Sequence, residues 1–454
     1  MSIPGLFIRS AIAPLWAAKE GTPYLQHLRH LTNFKTRPLE QVKTDQWQRF
    51  TKLVAHAYNN TIFYRRKYDA AQITPTDIRG WDDLKKLPLL TKDDIRRNKD
   101  FMTASNINKA FLHGKSTSGS TGVAVELFID EESLQWKRAV TITYDRWAGW
   151  DIGEIIGAMW GNPQHNLNWR TKIRNALLER YIFLDTLKID ENTIVEFYNR
   201  LKARPPAILY GHAHSIYLFA KFIEHKRLHE ITPHGIISTA MVLHNFERET
   251  IERVFNCKVF NRYGCEEVSL IACECSEHNG LHLNNDTLIV EFIRDGEPVA
   301  PGEAGEIVVT DLTNYGMPFI RYKVGDVGVP STKTSCPCGC TYPLMQSIEG
   351  RVADYIVTPE GKHISGISLT DNFFSNNLLG IKQMQIVQER VDFLIFRIVK
   401  GELFSIQTVA DIEKLARVYF GNRMTWVIEY VNSIQSERSG KYRFCISKLP
   451  NSFS

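Results

Sequence analysis

The chain has 454 residues, 43% of them apolar and 23% charged, and a formal net charge of +5. These fractions are ordinary for a soluble globular protein, and the length predicts two or three domains. The small positive charge is spread along the chain, which argues against nucleic acid as the main partner, and no run of about 18 apolar residues predicts a transmembrane helix.

The N-terminal segment, MSIPGLFIRSAIAPLWAAKEG, is apolar but differs from a signal peptide. Pro4, Arg9 and Pro14 break up the apolar stretch, and the basic residue comes too late. We interpret this segment as an N-terminal helix or arm that could associate with a surface. We expect a cytoplasmic protein.

Residues 20 to 100 are predicted to form helices with short connections. The stretch LEQVKTDQWQRFTKLVAHAYNN has apolar residues at helical spacing. The stretch LTKDDIRRN begins another helix, with Thr91 as its N-cap and two acidic residues in its first turn. The helical region at the start of the chain therefore extends to about residue 105.

From about residue 110, short strand-like segments such as AVELFID, AILYG, GIIST and CKVFNRYG alternate with helix-like segments. This alternation predicts a parallel sheet covered by helices. Between 281 and 330, strands alternate with turns such as RDGE and PGEAGE, which predicts an antiparallel arrangement.

After residue 350 the pattern changes to two strands, an amphipathic helix that ends near Gly421, and a further strand. The sequence therefore predicts an α/β protein with two domains. Residues 1–350 form a large N-terminal domain with mixed sheets and helices, and residues 351–454 form a small, mobile α+β domain.

The stretch HGKSTSGSTGVAVEL, residues 113–127, contains parts of two phosphate-binding patterns. A Walker loop requires glycine where this chain has Lys109, so that interpretation fails. The segment STSGSTG, by contrast, has five hydroxyls and two glycines, which suit a nest of backbone N–H groups around an anion. The alternative is a flexible surface loop. The residues of this segment are Ser116, Thr117, Ser118, Gly119, Ser120, Thr121 and Gly122.

Motifs elsewhere favour the phosphate loop. STSGSTG resembles the SSGTTGKP-type loop of adenylate-forming enzymes, and NRYGCEE, FIRYKVGD and EGRVADYI resemble later motifs of that family in the same order. The segment NTIFYRRKYDAAQITPTDIRGWDDLKKLPLLTKDDIRRN, together with CEC, GLHL and CPCGC, resembles the phenylacetate–coenzyme A ligase branch, which includes CapK-like capsule-biosynthesis proteins. The resemblance covers roughly residues 45 to 357, and it implies an adenylate-forming fold.

The resemblance also implies roles for single residues. The loop would hold the β- and γ-phosphates of ATP, and Lys92 would supply the cation that is missing at Val123. Tyr263 and Gly264 would contact adenine, with Tyr263 stacked on it, and Glu267 would bind Mg²⁺, with Glu266 as its rival.

Four further side chains complete the implied nucleotide site. Asp326 would accept hydrogen bonds from the ribose hydroxyls, and Arg351 would reach the ribose or the α-phosphate. Arg321 would brace a strand or a phosphate. Lys441, in the C-terminal domain, would dock only for adenylation, with the hinge at 351–354.

Cysteines occur in clusters that resemble metal ligands more than a disulfide scaffold. The branch carries a comparable structural zinc site, which implies Cys275, His282, Cys336 and Cys338 as ligands, with His278 as the rival of His282. Four protein ligands would leave no open position, so such a zinc ion would be structural.

An acyl pocket is expected among MWGNPQHN, YGHAHSIYLF and ISTAMVL, whose His and aromatic residues suit an aryl or small polar acid. Its candidate residues are Trp160, His165, Tyr210, His212, His214 and Met241. The resemblance implies an AMP-forming acid–thiol ligase that uses ATP and Mg²⁺ and transfers the acyl group to a thiol such as coenzyme A. The alternative is acyl or adenylyl transfer to an amine, sugar or hydroxyl, and a homodimer is compatible with either.

Overall fold

The structure is a computed structural model. It describes residues 2–116, 125–160, 169–186, 191–351, 355–361, 363–365, 369, 373, 380–434 and 443–449. Within this part of the chain, no helix is long and apolar enough to cross a membrane.

Helices make up most of the chain up to residue 102, as predicted. They are α1 (Ile3–Phe7), a π-helical turn (Ile8–Ile12), α2 (Ala13–Glu20), α3 (Tyr24–His30), α4 (Leu39–Asn60), α5 (Ile62–Ala70) and α6 (Lys92–Met102), with 3-10 turns at Leu31–Thr36, Pro75–Asp77 and Trp81–Lys86. Helix α4 coincides with the predicted amphipathic segment. Its apolar residues Val42, Phe50, Leu53, Val54 and Ala57 recur at helical spacing and are buried.

Helix α6 begins at the predicted cap. Thr91 Oγ1 accepts a hydrogen bond from the Asp94 N–H at 3.1 Å, and Asp94 Oδ2 accepts one from the Thr91 N–H at 2.9 Å. Just before this cap, the Leu90 N–H donates to the carbonyl of Arg321 at 2.9 Å, and the Lys323 N–H donates to the carbonyl of Leu90 at 2.9 Å. These bonds fix the start of α6 beside residues 321–323.

The main sheet has twelve strands in the order β11-β10-β12-β13-β14-β9-β8-β7-β6-β5-β3-β4. Its strands are β3 (Ile156–Trp160), β4 (Tyr181–Asp185), β5 (Ile208–His212), β6 (Gly235–Thr239), β7 (Lys258–Cys265), β8 (Ser269–Glu274), β9 (Leu281–Leu283), β10 (Leu288–Arg294), β11 (Glu297–Pro298), β12 (Gly305–Asp311), β13 (Tyr322–Pro330) and β14 (Leu344–Arg351). A separate antiparallel hairpin is formed by β1 (Leu112–Ser116) and β2 (Glu126–Asp130).

Strands β4, β3, β5, β6 and β7 are parallel, and the strands from β8 onward pair antiparallel. The parallel arrangement predicted for AILYG, GIIST and CKVFNRYG and the antiparallel arrangement predicted for residues 281–330 are confirmed, and they form one continuous sheet. The prediction was wrong for AVELFID, because this segment contributes β2, which pairs antiparallel with β1 outside the main sheet. The two parts join where β7 turns directly into β8, because a tight turn can connect only antiparallel neighbours. The covering helices are α7 (Glu131–Asp145), α8 (Trp169–Arg174), a π-helical turn (Asn175–Glu179), α9 (Glu191–Ala203), α10 (Ala213–Lys226) and α11 (Asn245–Phe255).

The described residues of the C-terminal part form a separate sheet, with the order β19-β18-β17-β20, and a long helix. Its elements are β15 (Tyr355–Val357), β16 (His363–Ser365), β17 (Ile381–Arg390), β18 (Phe393–Lys400), α12 (Ile406–Phe420), β19 (Thr425–Tyr430) and β20 (Cys445–Ser447). Buried residues between Ile356 and Cys445 form a hydrophobic core of their own. The mixed α/β architecture confirms the predicted fold class, whereas the domain boundary at residue 350 stays a prediction.

Candidate active site

Several of the predicted site residues lie at one edge of the sheet, where the parallel strands end. Trp160 ends β3, Tyr210 lies near the end of β5, and Met241 follows β6. Tyr263 and Gly264 lie near the end of β7, and Glu267 lies in the turn to β8. In open α/β sheets this carboxyl edge, at the point where the strand arrangement changes, is the usual place for a ligand site.

Glu267 is buried, and it is positioned by its neighbours. Tyr322 Oη donates a hydrogen bond to Glu267 Oε1 at 2.8 Å, and Lys137 Nζ donates to the backbone carbonyl of Glu267 at 3.4 Å. Lys137 also forms a buried ion pair with Asp311 at 2.9 Å. Burial and the Glu267 carboxylate raise the pKa of Tyr322 far above its ordinary value, so this phenol stays a donor. Glu266, its sequence rival, is exposed.

Two predicted nucleotide contacts are in direct contact with each other. Tyr263 Oη donates a hydrogen bond to Asp326 Oδ2 at 2.7 Å, and Tyr263 is buried. Asp326 lies on β13 opposite Arg351 on β14. The phenol therefore orients a carboxylate whose other lone pairs can accept hydrogen bonds from a diol.

Lys92 reaches the same place from a different part of the chain. It is the first residue of α6, whose start is fixed beside β13, and Gly325 has a φ of +90°. A Cβ added to Gly325 would lie 3.8 Å from Lys92 Nζ. The ammonium group thus lies next to the backbone that immediately precedes Asp326.

Arg321 has a structural role. Its guanidinium binds both carboxylate oxygens of Glu291, at 2.9 and 3.1 Å, and donates to the carbonyl of Leu87 at 2.8 Å. It is buried and ties the segment before α6 to β10 and β13. Of the two roles expected for it, bracing a strand therefore matches these contacts.

The sequence analysis missed Lys115, which lies in β1 directly before Ser116. Lys115 pairs with the fully buried Leu127, and directly opposed residues of antiparallel strands lie on the same face, so its side chain points inward. Burial lowers its pKa, and the Glu266 carboxylate raises it. With the described residues it forms no ion pair. Lys115 is the lysine of the letters GKST, which resemble the end of a Walker loop. It was not predicted as a site residue because the Walker interpretation failed.

Some predicted residues fall outside what the structure describes. The loop residues Thr117, Ser118, Gly119, Ser120, Thr121 and Gly122, together with His165 and Lys441, lie outside the described residues, as does the side chain of Arg351. Ser116 is described, as the last residue of β1.

The candidate pocket residues include an aromatic group. Trp160 stacks on Tyr210, with 5.5 Å between ring centroids and 15° between planes, and lies 4.3 Å from the ring of His212. The guanidinium of Arg262 lies over the Tyr210 ring and forms an ion pair with Asp145 at 2.8 Å. Burial raises the pKa of Tyr210, so it stays a neutral phenol.

The other two pocket candidates lie apart from this stack in the secondary structure. His214 is in the first turn of α10, where its Nδ1 lies 3.0 Å from Glu247 Oε1 of α11. Met241 is half-buried in the connection between β6 and α11. The contacts of the described residues do not join these two side chains to the Trp160–Tyr210 pair, so the shared pocket stays a prediction.

The four predicted zinc ligands lie together. The ligand atoms of Cys275, His282, Cys336 and Cys338 are all within 4.8 Å of one another, although the two pairs are about sixty residues apart in sequence. Cys275 Sγ lies 3.6 Å from Cys336 Sγ, and Cys338 Sγ lies 3.3 Å from His282 Nε2. Ideal separations around a tetrahedral zinc ion with bonds of about 2.0–2.3 Å are about 3.5–3.8 Å. The two distances lie within or close to this range, so the donor set fits the metal.

His282 is oriented for this role, and His278 is not. His282 Nδ1 lies 3.2 Å from the carbonyl of Tyr342, which directs Nε2 toward the thiols, as in many zinc sites. His278 instead lies 3.2 Å from Glu274 Oε2 and 3.3 Å from Arg248. All eight cysteines lie within the described residues, and none of them forms a disulfide that would compete for the ligands.

Comparisons with known proteins show which proteins this chain resembles over most of its length. The chain is 24% identical over 420 residues to protein CapK of Staphylococcus aureus, with 89% of each chain covered. It is 26% identical over 355 residues to the phenylacetate–coenzyme A ligase of Escherichia coli (strain K12), with 72% of this chain and 76% of the relative covered. A family model described as the CapK C-terminal domain matches residues 356–448.

The chain is a relative of CapK and of the phenylacetate–coenzyme A ligases. Among solved structures it is similar to 2-hydroxyisobutyryl-CoA ligase in the postadenylation state, with a TM-score of 0.73, 19% identity and coverage of 92% and 91%. It also resembles the anthranilate CoA ligase AuaEII, with a TM-score of 0.54, 12% identity and coverage of 74% and 66%. These similarities confirm the fold of adenylate-forming ligases.

Proposed function

We propose that this relative of CapK and the phenylacetate–coenzyme A ligases activates a carboxylic acid with ATP. The observation that supports this most is the assembly of Glu267, the Tyr263–Asp326 pair and Lys92 at one edge of the sheet. These residues come from three separate segments of the chain, around residues 92, 263–267 and 326. They combine an acidic metal ligand, a ribose acceptor and a phosphate cation, which is the set that a nucleotide with its Mg²⁺ requires.

In this proposal, Asp326 binds the ribose and Tyr263 both orients Asp326 and lies against adenine. Glu267 would hold Mg²⁺, because carboxylate oxygens are the hard ligands that this ion prefers. The hydrogen bond from Tyr322 holds the buried carboxylate in one orientation before the ion binds. Mg²⁺ would spread the charge of the phosphates when bound. Lys92 and Lys115 supply cationic charge near the polyphosphate.

The proposed reaction has two steps. A carboxylate oxygen of the acid attacks the α-phosphorus of ATP, the bond to the bridging oxygen of pyrophosphate breaks, and an acyl-adenylate forms. A thiol then attacks the acyl carbon and AMP leaves, with the thiol proton released to solvent or a base. Lys441, from the C-terminal part, would stabilise the charge of the first step.

The acid is proposed to be aryl or small and polar. Trp160 stacks on Tyr210 and lies next to the His212 ring. These rings offer aromatic surface for an aryl group, and the Trp160 indole, the Tyr210 phenol and the His212 imidazole carry groups that can form hydrogen bonds with a polar acid. Coenzyme A is the proposed thiol. The alternative acceptor is an amine, sugar or hydroxyl group, and we consider it because the C-terminal domain matches that of CapK.

Pyrophosphate release from ATP would be measured across a panel of aryl and small polar acids, with and without coenzyme A. We expect one acid class to give pyrophosphate, and coenzyme A to accelerate turnover. Turnover that requires an amine or a sugar instead would favour the alternative. No pyrophosphate and no ATP–pyrophosphate exchange with any acid would contradict acid activation.

A structural zinc ion is also proposed at the Cys275–His282–Cys336–Cys338 cluster. It would use all four ligands, so it would take no part in the reaction. Burial raises the pKa of the Cys275 thiol, and binding of a cation is what would stabilise its thiolate form.

A further inference from the structure

The outer face of the N-terminal helical segment is apolar. Ile3 is 87% exposed, Phe7 is 63% exposed and Leu15 is 72% exposed, and Leu6 is about half exposed. Single exposed apolar residues are common, but several large ones along one helical segment mark an interaction surface.

This segment is firmly docked through its opposite face. Gly5, Ile8, Ala13 and Ala17 are buried, so mostly small residues contact the body of the protein. Polar contacts hold both parts of the segment: the Ser2 N–H donates to Glu154 at 2.7 Å, and Arg9 pairs with Asp151 at 2.6 Å. The exposed side chains therefore do not result from an undocked helix.

The π-helical turn between α1 and α2 maintains this arrangement. A π turn contains more residues than an α turn, so it shifts the rotation of the residues that follow it. As a result Ala13 and Ala17 are buried like Gly5, while Leu15 is exposed like Ile3 and Phe7. Without that shift, one apolar face would not continue across both helices.

A second helix also carries exposed apolar side chains. Helix α8 exposes Trp169 at 67% and Ile173 at 43%. It runs directly into the π turn Asn175–Glu179, which packs on the π turn Ile8–Ile12, and Leu178 shares a buried cluster with Ile8. We name the exposed side chains of Ile3, Leu6, Phe7, Leu15, Trp169 and Ile173 the N-terminal surface.

The helices that carry this surface are basic. Residues 3–20 and 169–179 contain five basic residues, Arg9, Lys19, Arg170, Lys172 and Arg174, and two acidic ones, Glu20 and Glu179. Their net charge is +3, or +2 when the ion pair of Arg9 with Asp151 is counted as neutral. A second copy of the chain would bring the same positive patch against itself across a two-fold axis, which is unfavourable.

We propose that the N-terminal surface binds the interface of a bilayer that contains anionic phospholipids. Apolar side chains with exposed tryptophan would enter the headgroup boundary, and the flanking lysines and arginines would face lipid phosphates. The helices would lie in the plane of the membrane, because none of those described is long enough to cross it. This inference is independent of the proposed reaction.

Flotation of the full-length protein with lipid vesicles tests the proposal. Vesicles would contain phosphatidylcholine alone or with about one third phosphatidylglycerol. We expect flotation with the anionic vesicles, weakened by high salt because exposed charges are screened. The double variant Phe7→Ser/Leu15→Ser should lose at least about tenfold in affinity for the vesicles, because two apolar side chains no longer enter the interface.

A matched control is available on α12. Ile406 is 90% exposed and Val418 is 69% exposed, so Ile406→Ser/Val418→Ser removes similar apolar groups elsewhere. This control should float like the wild type, and both double variants should keep the wild-type melting temperature. No flotation of the wild type, or equal flotation of the Phe7→Ser/Leu15→Ser variant, would overturn the proposal. A third result would also overturn it: the wild type does not bind lipid but sediments as a dimer, and the Phe7→Ser/Leu15→Ser variant sediments as a monomer.

Discussion

Glu266 and Glu267 are adjacent in sequence but have different surroundings. Glu267 is buried and accepts a hydrogen bond from Tyr322, whereas Glu266 is exposed and contributes to the electrostatic environment of Lys115. The sequence offered both as magnesium ligands. Their positions in the turn between β7 and β8 favour Glu267, because its carboxylate is fixed before any ligand arrives.

The two acids can be compared directly by substitution. Glu267→Gln should reduce ATP–pyrophosphate exchange about 10²-fold or more and raise the Mg²⁺ concentration needed, because a fixed charge at the phosphates is lost. Glu266→Gln is the matched control and should stay within about threefold of the wild type. Titrating Mg²⁺ in the exchange assay measures both. A larger loss in Glu266→Gln would show that the roles are reversed.

Lys115 gives a second prediction at the residue scale. Lys115→Met should weaken ATP binding about tenfold or more and leave AMP binding unchanged, because a hydrogen bond to a charged group is worth about 1.5–3 kcal/mol and only ATP carries the β- and γ-phosphates. Equilibrium titration with both nucleotides measures this, and Lys115→Arg should recover much of the affinity.

The control for Lys115 is Lys109→Met, which removes an exposed lysine six residues earlier that pairs with Asp100 at 2.9 Å. It should bind both nucleotides like the wild type. If Lys115→Met loses ATP and AMP affinity equally, Lys115 acts on the fold and not on the phosphates.

At the scale of elements, the Cys/His cluster connects segments that are separate in sequence. Cys275 follows β8, His282 lies on β9, and Cys336 and Cys338 lie in the segment between β13 and β14. β9 pairs with both β8 and β14. A bound zinc ion would therefore hold the segment 331–343 against the antiparallel part of the sheet.

Removing one ligand should destabilise the protein. Cys336→Ser should abolish zinc binding and lower the melting temperature by several degrees, because metal binding contributes directly to the free energy of unfolding. Cys257→Ser, at a cysteine outside the cluster, should retain one zinc ion per chain. Elemental analysis and thermal unfolding measure the two effects. Wild-type protein that contains no zinc after expression in zinc-containing medium rules out the site.

At the scale of the whole molecule, the C-terminal sheet and its helix have their own core, and Lys441 belongs to this part of the chain. In the proposed mechanism Lys441 acts only during adenylation. Lys441→Ala should therefore reduce ATP–pyrophosphate exchange about 10²-fold or more, and it should change thioester formation from a supplied acyl-adenylate much less. Unchanged exchange, measured with an acid that the wild type activates, would remove Lys441 from the mechanism.

Much of the architecture follows from local sequence patterns. Helix α4, the capped start of α6, the parallel strands β5, β6 and β7 and the antiparallel strands after residue 281 were predicted, because periodicity and turn residues act within short stretches. Strands β3 and β4 were not predicted. Strand β1 was missed. Its residues LHGKS lack strand-forming character, and pairing with the apolar β2 produces the strand.

The sequence by itself determined the chemistry that is available: the order of the motifs, the thiols and imidazoles of the metal cluster, and the residues that a nucleotide would need. The sequence left open which of two adjacent candidates has each role, and the folded structure favours Glu267 over Glu266 as magnesium ligand and His282 over His278 as zinc ligand. The pairing of β1 with β2 also turns the Lys115 side chain inward. The physical reason is that residue type and periodicity are local properties. Burial, strand register and a 2.7 Å contact between Tyr263 and Asp326 depend instead on segments about sixty residues apart.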